Sequence, residues 1–351
     1  MLHVGPNMEF WRDQISQGQA PLWNPYIFAG VPQLANPMTN TLSPLNFWFF
    51  LFNDVYRGLA VLVVVLIPFA AVGMYLFLKE LRLPTLAAFL GGVLFAFSGT
   101  TLSNINDLNS LQAVVFIPWV LWLSQRYIVA NNRVKLGIVL AFVLALQFVS
   151  GHPQYCYYTW LLLTGNLLIF GRQRLRQKLI SIVLIFGLTV MLIAVELVPF
   201  VELTQLIHRP DSDQFANTNA IEIYDLPQFL LGHFYGSWQN GNSWGFSAPL
   251  ETGRAHSRGF LGIVALILAL VQIIKQRNKV VVFWIGVALL SLVLSLGSVT
   301  PLYVLVRNVL PLFDRFRSPA RILTIYTFSV SILSAYGFEY VRSKYIYTRK
   351  N

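Results

Sequence analysis

Charge and cysteine are both scarce in this 351-residue sequence. Charged residues make up 11% of it, whereas soluble domains carry roughly 25%. Hydrophobic residues make up 56%, and the mean hydropathy is +0.61. These values exclude an ordinary soluble globule. Cys156 is the single cysteine, so a framework of intrachain disulfides is excluded as well.

The sequence also lacks the patterns of several other protein classes. Leu59 to Leu78 is apolar on every face, which argues against the alternating strands of an outer-membrane barrel. Walker-type and GxGxxG loops are absent, as is any internal repeat of about 20–50 residues. The histidines are scattered, and none is paired with a carboxylate at i, i+4 spacing. We therefore identify no metal site and no cofactor, and we leave open whether a divalent cation is bound.

Long apolar runs are abundant instead. A helix that crosses a bilayer needs about 20 consecutive apolar residues. The sequence predicts an all-α, polytopic bundle of about nine transmembrane helices with large extracytoplasmic loops. The predicted spans are 58–79, 84–102, 112–129, 135–151, 153–171, 179–206, 258–275, 280–297 and 320–341.

The net charge of +11 does not indicate a nucleic-acid partner. It reflects how Lys and Arg are distributed between the connections on the two sides of the membrane. Short connections rich in Lys and Arg alternate with longer segments that are acidic or rich in Asn and Trp. The positive-inside rule places the basic connections in the cytoplasm. We predict one membrane domain over 1–351. It comprises an extracytoplasmic region 1–57, six spans in 58–206, an extracytoplasmic loop 207–257, three spans in 258–341 and a cytoplasmic tail 342–351.

The amino-terminal region poses a topological problem. Residues 1–57 are predicted to lie outside, yet no basic n-region followed by an apolar h-region precedes them. We therefore expect a further span upstream of Met1, so that the sequence represents part of a longer chain.

The polar residues of interest fall mostly in the segments predicted to lie outside. Asn24 and Asn36 belong to a stretch dense in Pro and Gly, whose fixed and permissive backbone angles indicate a shaped loop. Asp107 lies in the next outside loop. His152 and Gln154 lie in the tightest outside turn, where a helix cap is an equally good interpretation for His152.

Two carboxylates and two arginines lie near the predicted membrane boundaries. Glu196 and Glu202 flank Pro199 in the sixth predicted span, and an intramembrane carboxylate usually faces a cavity or a partner. Arg317 and Arg321 lie at the outer end of the last predicted span, although Lys and Arg are otherwise concentrated in the connections predicted to be cytoplasmic. Guanidinium binds phosphate in a bidentate manner, although snorkelling interface anchors are the alternative.

Three motifs in this order carry a resemblance to a known family: PLWNPYIFAGVPQLAN (21–36), SGHPQYCYY (150–158) and FDRFRSPAR (313–321). The chain resembles the front part of the bacterial YfhO-type membrane proteins, which are grouped with the GT-C class of membrane glycosyltransferases. The resemblance implies a GT-C-like fold with an outward-facing site. It also implies a polyprenyl-phosphate sugar as donor and a cell-envelope polymer or lipid, such as teichoic acid, as acceptor.

The same resemblance implies roles for individual residues. The expected catalytic Asp of the first outside loop falls at or before Met1, so we leave open whether this chain is an enzyme. Asp107 matches the place of a second acidic residue. Asn24, Asn36, His152, Gln154, Arg317 and Arg321 are the predicted substrate-binding residues. A transporter or flippase of lipid-linked sugars, and a truncated non-catalytic membrane protein, are the alternatives.

Overall fold

A computed structural model describes residues 4–207, 217–232, 234–236, 257–275 and 277–350. These residues are mostly helical, which agrees with the predicted all-α class. Two compact units account for the chain: Met1–Glu80 with Asn104–Arg209, and Leu81–Ser103 with Pro210–Asn351. We call them unit 1 and unit 2. A single membrane domain over 1–351 stays a prediction.

The helices of unit 1 include two of the longest in the chain. They are α1 (Val4–Ser16), α2 (Val55–Glu80), α5 (Leu108–Val115), α6 (Ile117–Val129), α7 (Arg133–Val149), α8 (Pro153–Phe170) and α9 (Leu175–Leu206). Two-residue strands β1 (Trp23–Asn24) and β2 (Val31–Pro32) pair antiparallel, with Trp23 opposite Pro32.

Unit 2 gathers helices from both ends of its sequence. They are α3 (Thr85–Ala96), α4 (Gly99–Ser103), α10 (Pro227–Leu230), α11 (Ile263–Lys275), α12 (Lys279–Ser295), α13 (Pro301–Val309) and α14 (Leu323–Lys350). A 3-10 helix, Pro319–Ile322, leads into α14.

In the part of the chain that the structure describes, four helical segments are long and apolar enough to cross a membrane: Val55–Glu80, Thr85–Ser103, Leu175–Leu206 and Pro319–Tyr345. Helices α11 and α12 are apolar but shorter. The predicted span 112–129 is divided, because α5 ends at Val115 and α6 begins at Ile117, with Pro118 in its first turn. Nine spans therefore stay a prediction, whereas a membrane protein with several apolar helices is supported.

Within unit 1, side-chain contacts fix the directions of the helices. The Trp119 indole on α6 donates to the Phe69 carbonyl on α2 at 3.1 Å, and Arg126 approaches Glu80 at 3.8 Å, so α2 and α6 run parallel. Gln147 on α7 donates to Thr159 on α8 at 2.9 Å. Since Cys156, earlier on α8, lies against the Gln147 carbonyl, α7 and α8 form a closely packed pair around this point.

The segment before α2 is held by aromatic packing. The Trp11 ring of α1 packs edge-on against Phe47 at 5.4 Å, and its indole donates to the Thr41 carbonyl at 2.8 Å. Phe47 lies in the 3-10 helix Pro44–Leu51. In the β1–β2 turn Gly30 has a φ of +113°, and a side chain there would meet the Trp23 ring. The Pro- and Gly-rich stretch is thus a shaped loop.

Helix α14 lies at the centre of unit 2 and packs against α3, α11 and α12. The Ser334 hydroxyl donates to the Ala265 carbonyl of α11 at 2.7 Å. At Gly337 a Cβ would overlap the Leu268 carbonyl, so only hydrogen fits between these two backbones. Such close approach at small residues is how helices associate where lipid replaces water.

Candidate functional site

Four buried amide side chains join the first loop of unit 1 to helix α5. Asn40 Nδ2 donates to Asn109 Oδ1 at 2.9 Å and to Gln112 Oε1 at 2.7 Å. Asn46 Nδ2 donates to the Asn40 carbonyl at 2.6 Å, and Asn109 Nδ2 donates to the Met38 carbonyl. We call Asn40, Asn46, Asn109 and Gln112 the amide cluster.

The turn before α8 joins this cluster. The His152 amide donates to the Asn109 carbonyl at 3.2 Å, and the hydroxyls of Ser43 and Ser150 lie 2.8 Å apart. Three polar segments that are distant in sequence therefore meet: the first loop, the start of α5 and the turn at 150–154.

The amide cluster carries hydrogen-bonding atoms that no described residue satisfies. Asn40 Oδ1, Asn46 Oδ1 and Gln112 Nε2 are buried without a partner, and so are both amide atoms of nearby Gln33. The Gln33 carbonyl accepts from Thr39 and Thr41 at 2.7 and 3.2 Å, which holds it in the same loop. An unsatisfied buried polar atom costs about 1–3 kcal/mol. This many unsatisfied buried polar atoms in one place indicate that a polar ligand or ordered water completes the site.

His152 and Gln154 lie beside the amide cluster and have structural partners. His152 is the N-cap of α8, where its Nδ1 accepts from the Gln154 amide at 3.2 Å. An accepting Nδ1 puts the proton of a neutral imidazole on Nε2, which is then a donor. The Gln154 side chain donates to the Tyr158 hydroxyl at 2.8 Å. The structure therefore agrees with the cap interpretation of His152.

Asp107 is half-buried and caps α5. Its carboxylate accepts from the Ser110 hydroxyl at 2.7 Å and from the Ser110 amide at 3.5 Å. Capping of this kind is sufficient to explain an Asp before a helix. Since Asn109 and Gln112 follow on the same helix, the carboxylate is also the acidic group nearest in sequence to the amide cluster.

Asn24 and Asn36 act locally and are not part of the cluster. Asn24 is buried, and its Oδ1 accepts from the Tyr26 amide at 3.0 Å in the β1–β2 turn. Asn36 is exposed and caps the 3-10 helix Pro37–Thr39 by accepting from Met38 at 3.1 Å. Both shape the loop that carries Asn40.

Arg317 and Arg321 belong to unit 2. Arg317 is exposed and Arg321 is half-buried, on either side of Ser318, whose φ of +61° turns the chain sharply. Ser318 Oγ accepts from Asn219 at 3.5 Å. Ala320 and Leu323 pack with Ile221 and Phe229 in a small buried core. The turn that presents the two guanidinium groups is thus fixed by packing on both sides.

Sequence reasoning missed the residues that form the amide cluster. Asn40, Asn46 and Gln112 look like ordinary loop or helix residues, and their burial depends on distant partners. In the structure Asn40 has a φ of +53°, a left-handed conformation that Asn adopts more readily than most residues. Trp238, Trp244 and most of the 207–257 loop lie outside the described residues.

Neither a metal ligand set nor a known relative adds to this description. Within the described ranges, no group of three or more His, Cys, Asp and Glu side chains is placed to hold a metal ion. No protein family, curated protein or solved structure matches the chain.

Proposed function

We propose that the chain is the membrane part of a glycosyltransferase that moves a sugar from a polyprenyl-phosphate donor to a cell-envelope polymer or lipid, on the outer side of a bacterial cytoplasmic membrane. The observation that carries this proposal is the amide cluster with its unsatisfied buried donors and acceptors. The resemblance to YfhO-type proteins names the substrate class.

Amide side chains suit a sugar because each one offers both a donor and an acceptor. The cluster has free acceptors at Asn40 and Asn46 and a free donor at Gln112 among the described residues. Every sugar hydroxyl can give and take a hydrogen bond, so such a mixed set matches a polyol. It suits a phosphate less well, since phosphate only accepts.

Two further parts complete the proposed site. Asp107 is the proposed acidic group that orients the acceptor hydroxyl or removes its proton as the bond forms. His152 is a proposed substrate-binding residue beside the amide cluster. Arg317 and Arg321 of unit 2 are proposed separately as donors to the phosphate that leaves with the lipid. Asn24, Asn36 and Gln154 are proposed to shape the loop and the turn around the sugar.

The amide cluster is tested by glycan analysis of the envelope polymer in a deletion strain complemented with variants. Gln112→Leu and Asn40→Ala are expected to lower the transferred sugar about tenfold or more, since each removes hydrogen bonds to the sugar. Asn53→Ala is the control, because Asn53 is an exposed amide of the same loop. Normal glycosylation by folded Gln112→Leu and Asn40→Ala proteins would contradict the proposal.

The arginines are tested in the same assay. Arg317→Ala and Arg321→Ala are expected to abolish glycosylation while the protein still accumulates in the membrane. Arg307→Ala is the control, an arginine of α13 that is not assigned to the site. If both variants retain glycosylation, Arg317 and Arg321 are interface anchors.

A transporter of lipid-linked sugars is the second candidate. It is favoured by one observation: the buried carboxylate of Glu196 lies three residues before Pro199 within the apolar helix α9. Ionisable groups beside interrupted helices are typical of transporters. Sealed vesicles that contain the chain and a labelled lipid-linked sugar separate the two functions, because a transporter changes the sidedness of the label without transferring it.

A further inference from the structure

Glu196 lies on the one buried face of α9. The buried residues of this helix are Ile185, Thr189, Ile193 and Glu196, which follow at helical spacing. This face packs against α7, where the Thr189 hydroxyl lies 3.3 Å from the Ala141 carbonyl, and against α8. The carboxylate therefore points into protein and away from the exposed apolar side of the helix.

Neither oxygen of this carboxylate has a partner. Glu196 is 1% exposed, and both Oε1 and Oε2 are buried without a hydrogen bond to any described residue. An ionised carboxylate that is removed from water and left unpaired is strongly destabilised. It must therefore take up a positive charge in order to remain at this position.

Among the described residues, the packed helices bring further acceptors to this place but no cationic side chain. On α8, the Cys156 thiol lies in the neighbourhood of Glu196 and donates to the Gln147 carbonyl on α7 at 3.5 Å. Gln147 Oε1 is buried without a partner among the described residues.

The basic and titratable residues of α7 and α8 can be located relative to Gln147 and Cys156. Arg133 and Lys135 lie at the opposite end of α7 from Gln147. Helix α8 contains no Lys or Arg, and its titratable residues near Cys156 are Tyr155, Tyr157 and Tyr158. His152 precedes them and caps the helix.

Pro199 adds one more acceptor. Because proline has no amide hydrogen, the carbonyl of Val195, four residues earlier in α9, loses its usual helical donor. This carbonyl lies within one turn of Glu196. Helix α9 continues through Pro199, so the missing donor affects this one carbonyl. Carboxylate and backbone carbonyl oxygens are ligands that membrane proteins use for small cations.

We propose that Glu196 is the centre of a binding site for a small monovalent cation between α7, α8 and α9, with Gln147 and the Val195 carbonyl as neutral acceptors. The shared chemistry is a single positive charge, which either Na⁺ or a proton supplies. This site is separate from the proposed sugar site and does not depend on the transferase proposal.

The test uses the purified full chain in lipid nanodiscs. If Na⁺ is the cation, replacing choline chloride by NaCl at constant ionic strength raises the Tm by about 3 °C, as expected for a ligand that binds only the folded state. Glu196→Gln abolishes this shift. Glu202→Gln retains it, because Glu202 is an exposed carboxylate of the same helix.

If the cation is a proton, infrared spectra at neutral pH show the carbonyl band of a protonated carboxylic acid. This band disappears in Glu196→Gln and persists in Glu202→Gln. Should Glu196→Gln fail to fold, Glu196→Asp replaces it, since a shorter carboxylate reduces the Na⁺ shift or moves the band. The proposal is overturned if neither the Na⁺ shift nor the band depends on Glu196.

Discussion

Helices α9 and α14 are both long enough to cross a bilayer, yet they are built in opposite ways. In the most apolar window of α9, 22% of the residues are buried, against 78% in that of α14. The exposed side of α9 is aliphatic, with Val183, Leu184 and Met191 among its exposed residues. Helix α14 instead buries a row of hydroxyl side chains, namely Thr324, Thr327, Ser329, Ser331 and Ser334.

This difference shows how a membrane reverses the usual rule that apolar side chains are buried and polar side chains are exposed. A helix that faces lipid must be apolar on its exposed side, since hydrocarbon offers no hydrogen bonds. A helix inside the protein tolerates hydroxyls that bond to its own backbone, as Ser329 and Ser331 do to Ile325 and Thr327 at 2.7 and 2.8 Å. Small hydroxyl residues also let neighbouring backbones approach closely. The buried hydroxyls of α14 therefore indicate packing against protein, whereas the aliphatic exposed side of α9 is suited to lipid.

The two helices also carry their basic residues at opposite ends. Arg174, Arg176 and Lys178 lie at the start of α9, whereas Arg342 and Lys344 lie near the end of α14. If both ends are cytoplasmic, a reporter fused after Lys350 is active in the cytoplasm and one inserted at Asn240 is active outside. This all-or-none result is the largest expected effect, and the reverse pattern at either position would refute the predicted topology.

A charge on the exposed face of α9 is expected to have the next largest effect. Leu192 is 46% exposed, and Leu192→Arg is expected to make membrane insertion of the helix less favourable by roughly 3 kcal/mol. A glycosylation-based insertion assay measures this, with Leu192→Ala as the control. Unchanged insertion of Leu192→Arg would show that this face of α9 contacts water or protein and not lipid.

Substitutions of two glycines test the same difference between α14 and α9. Gly337→Ala in α14 is expected to destabilise the fold by about 1–3 kcal/mol, because its Cβ would overlap the Leu268 carbonyl. Gly187→Ala in α9 meets no atom within 4 Å and is expected to be neutral or stabilising by up to about 1 kcal/mol. Thermal unfolding in detergent measures both. Equal effects would contradict the assignment of α14 as a packed helix and α9 as a lipid-facing one.

The smallest effect is expected for a single hydroxyl of α14. Ser331→Ala removes the hydrogen bond that the Ser331 hydroxyl donates to the Thr327 carbonyl. That carbonyl remains part of the same helix. The expected loss is at most about 1 kcal/mol in thermal unfolding. A loss of several kcal/mol would mean that the Ser331 hydroxyl joins α14 to another helix instead of bonding within it.

The apolar runs were predictable because a membrane imposes a length and a composition on each helix that crosses it. The runs at 58–79, 84–102, 179–206 and 320–341 correspond to α2, to α3 with α4, to α9 and to the segment that includes α14. The structure of the run at 112–129 was harder to predict. It is mostly apolar, yet the helix is interrupted between Val115 and Ile117, and Pro118 was the one local signal of that break.

The candidate site was predictable in its segments but not in its residues. The first loop, the start of α5 and the turn at 150–154 were all identified by their polar residues. Asn24, Asn36 and Asp107 attracted attention for the same property that makes them good caps, namely a short side chain that bonds to nearby backbone amides. Asn40 and Gln112 were overlooked because nothing local distinguishes an amide that faces water from one that is buried by a distant segment.

The sequence by itself determined that this chain is mostly helical and apolar enough for a membrane, because composition and run length act residue by residue along the chain. Tertiary structure decided which of those helices are enclosed and which present an apolar surface. It also decided that Asn40, Asn109 and Gln112 share one buried network, and that the Glu196 carboxylate is buried on the inner face of α9. The physical reason is that burial and hydrogen bonding depend on contacts between residues tens of positions apart, which no local pattern encodes.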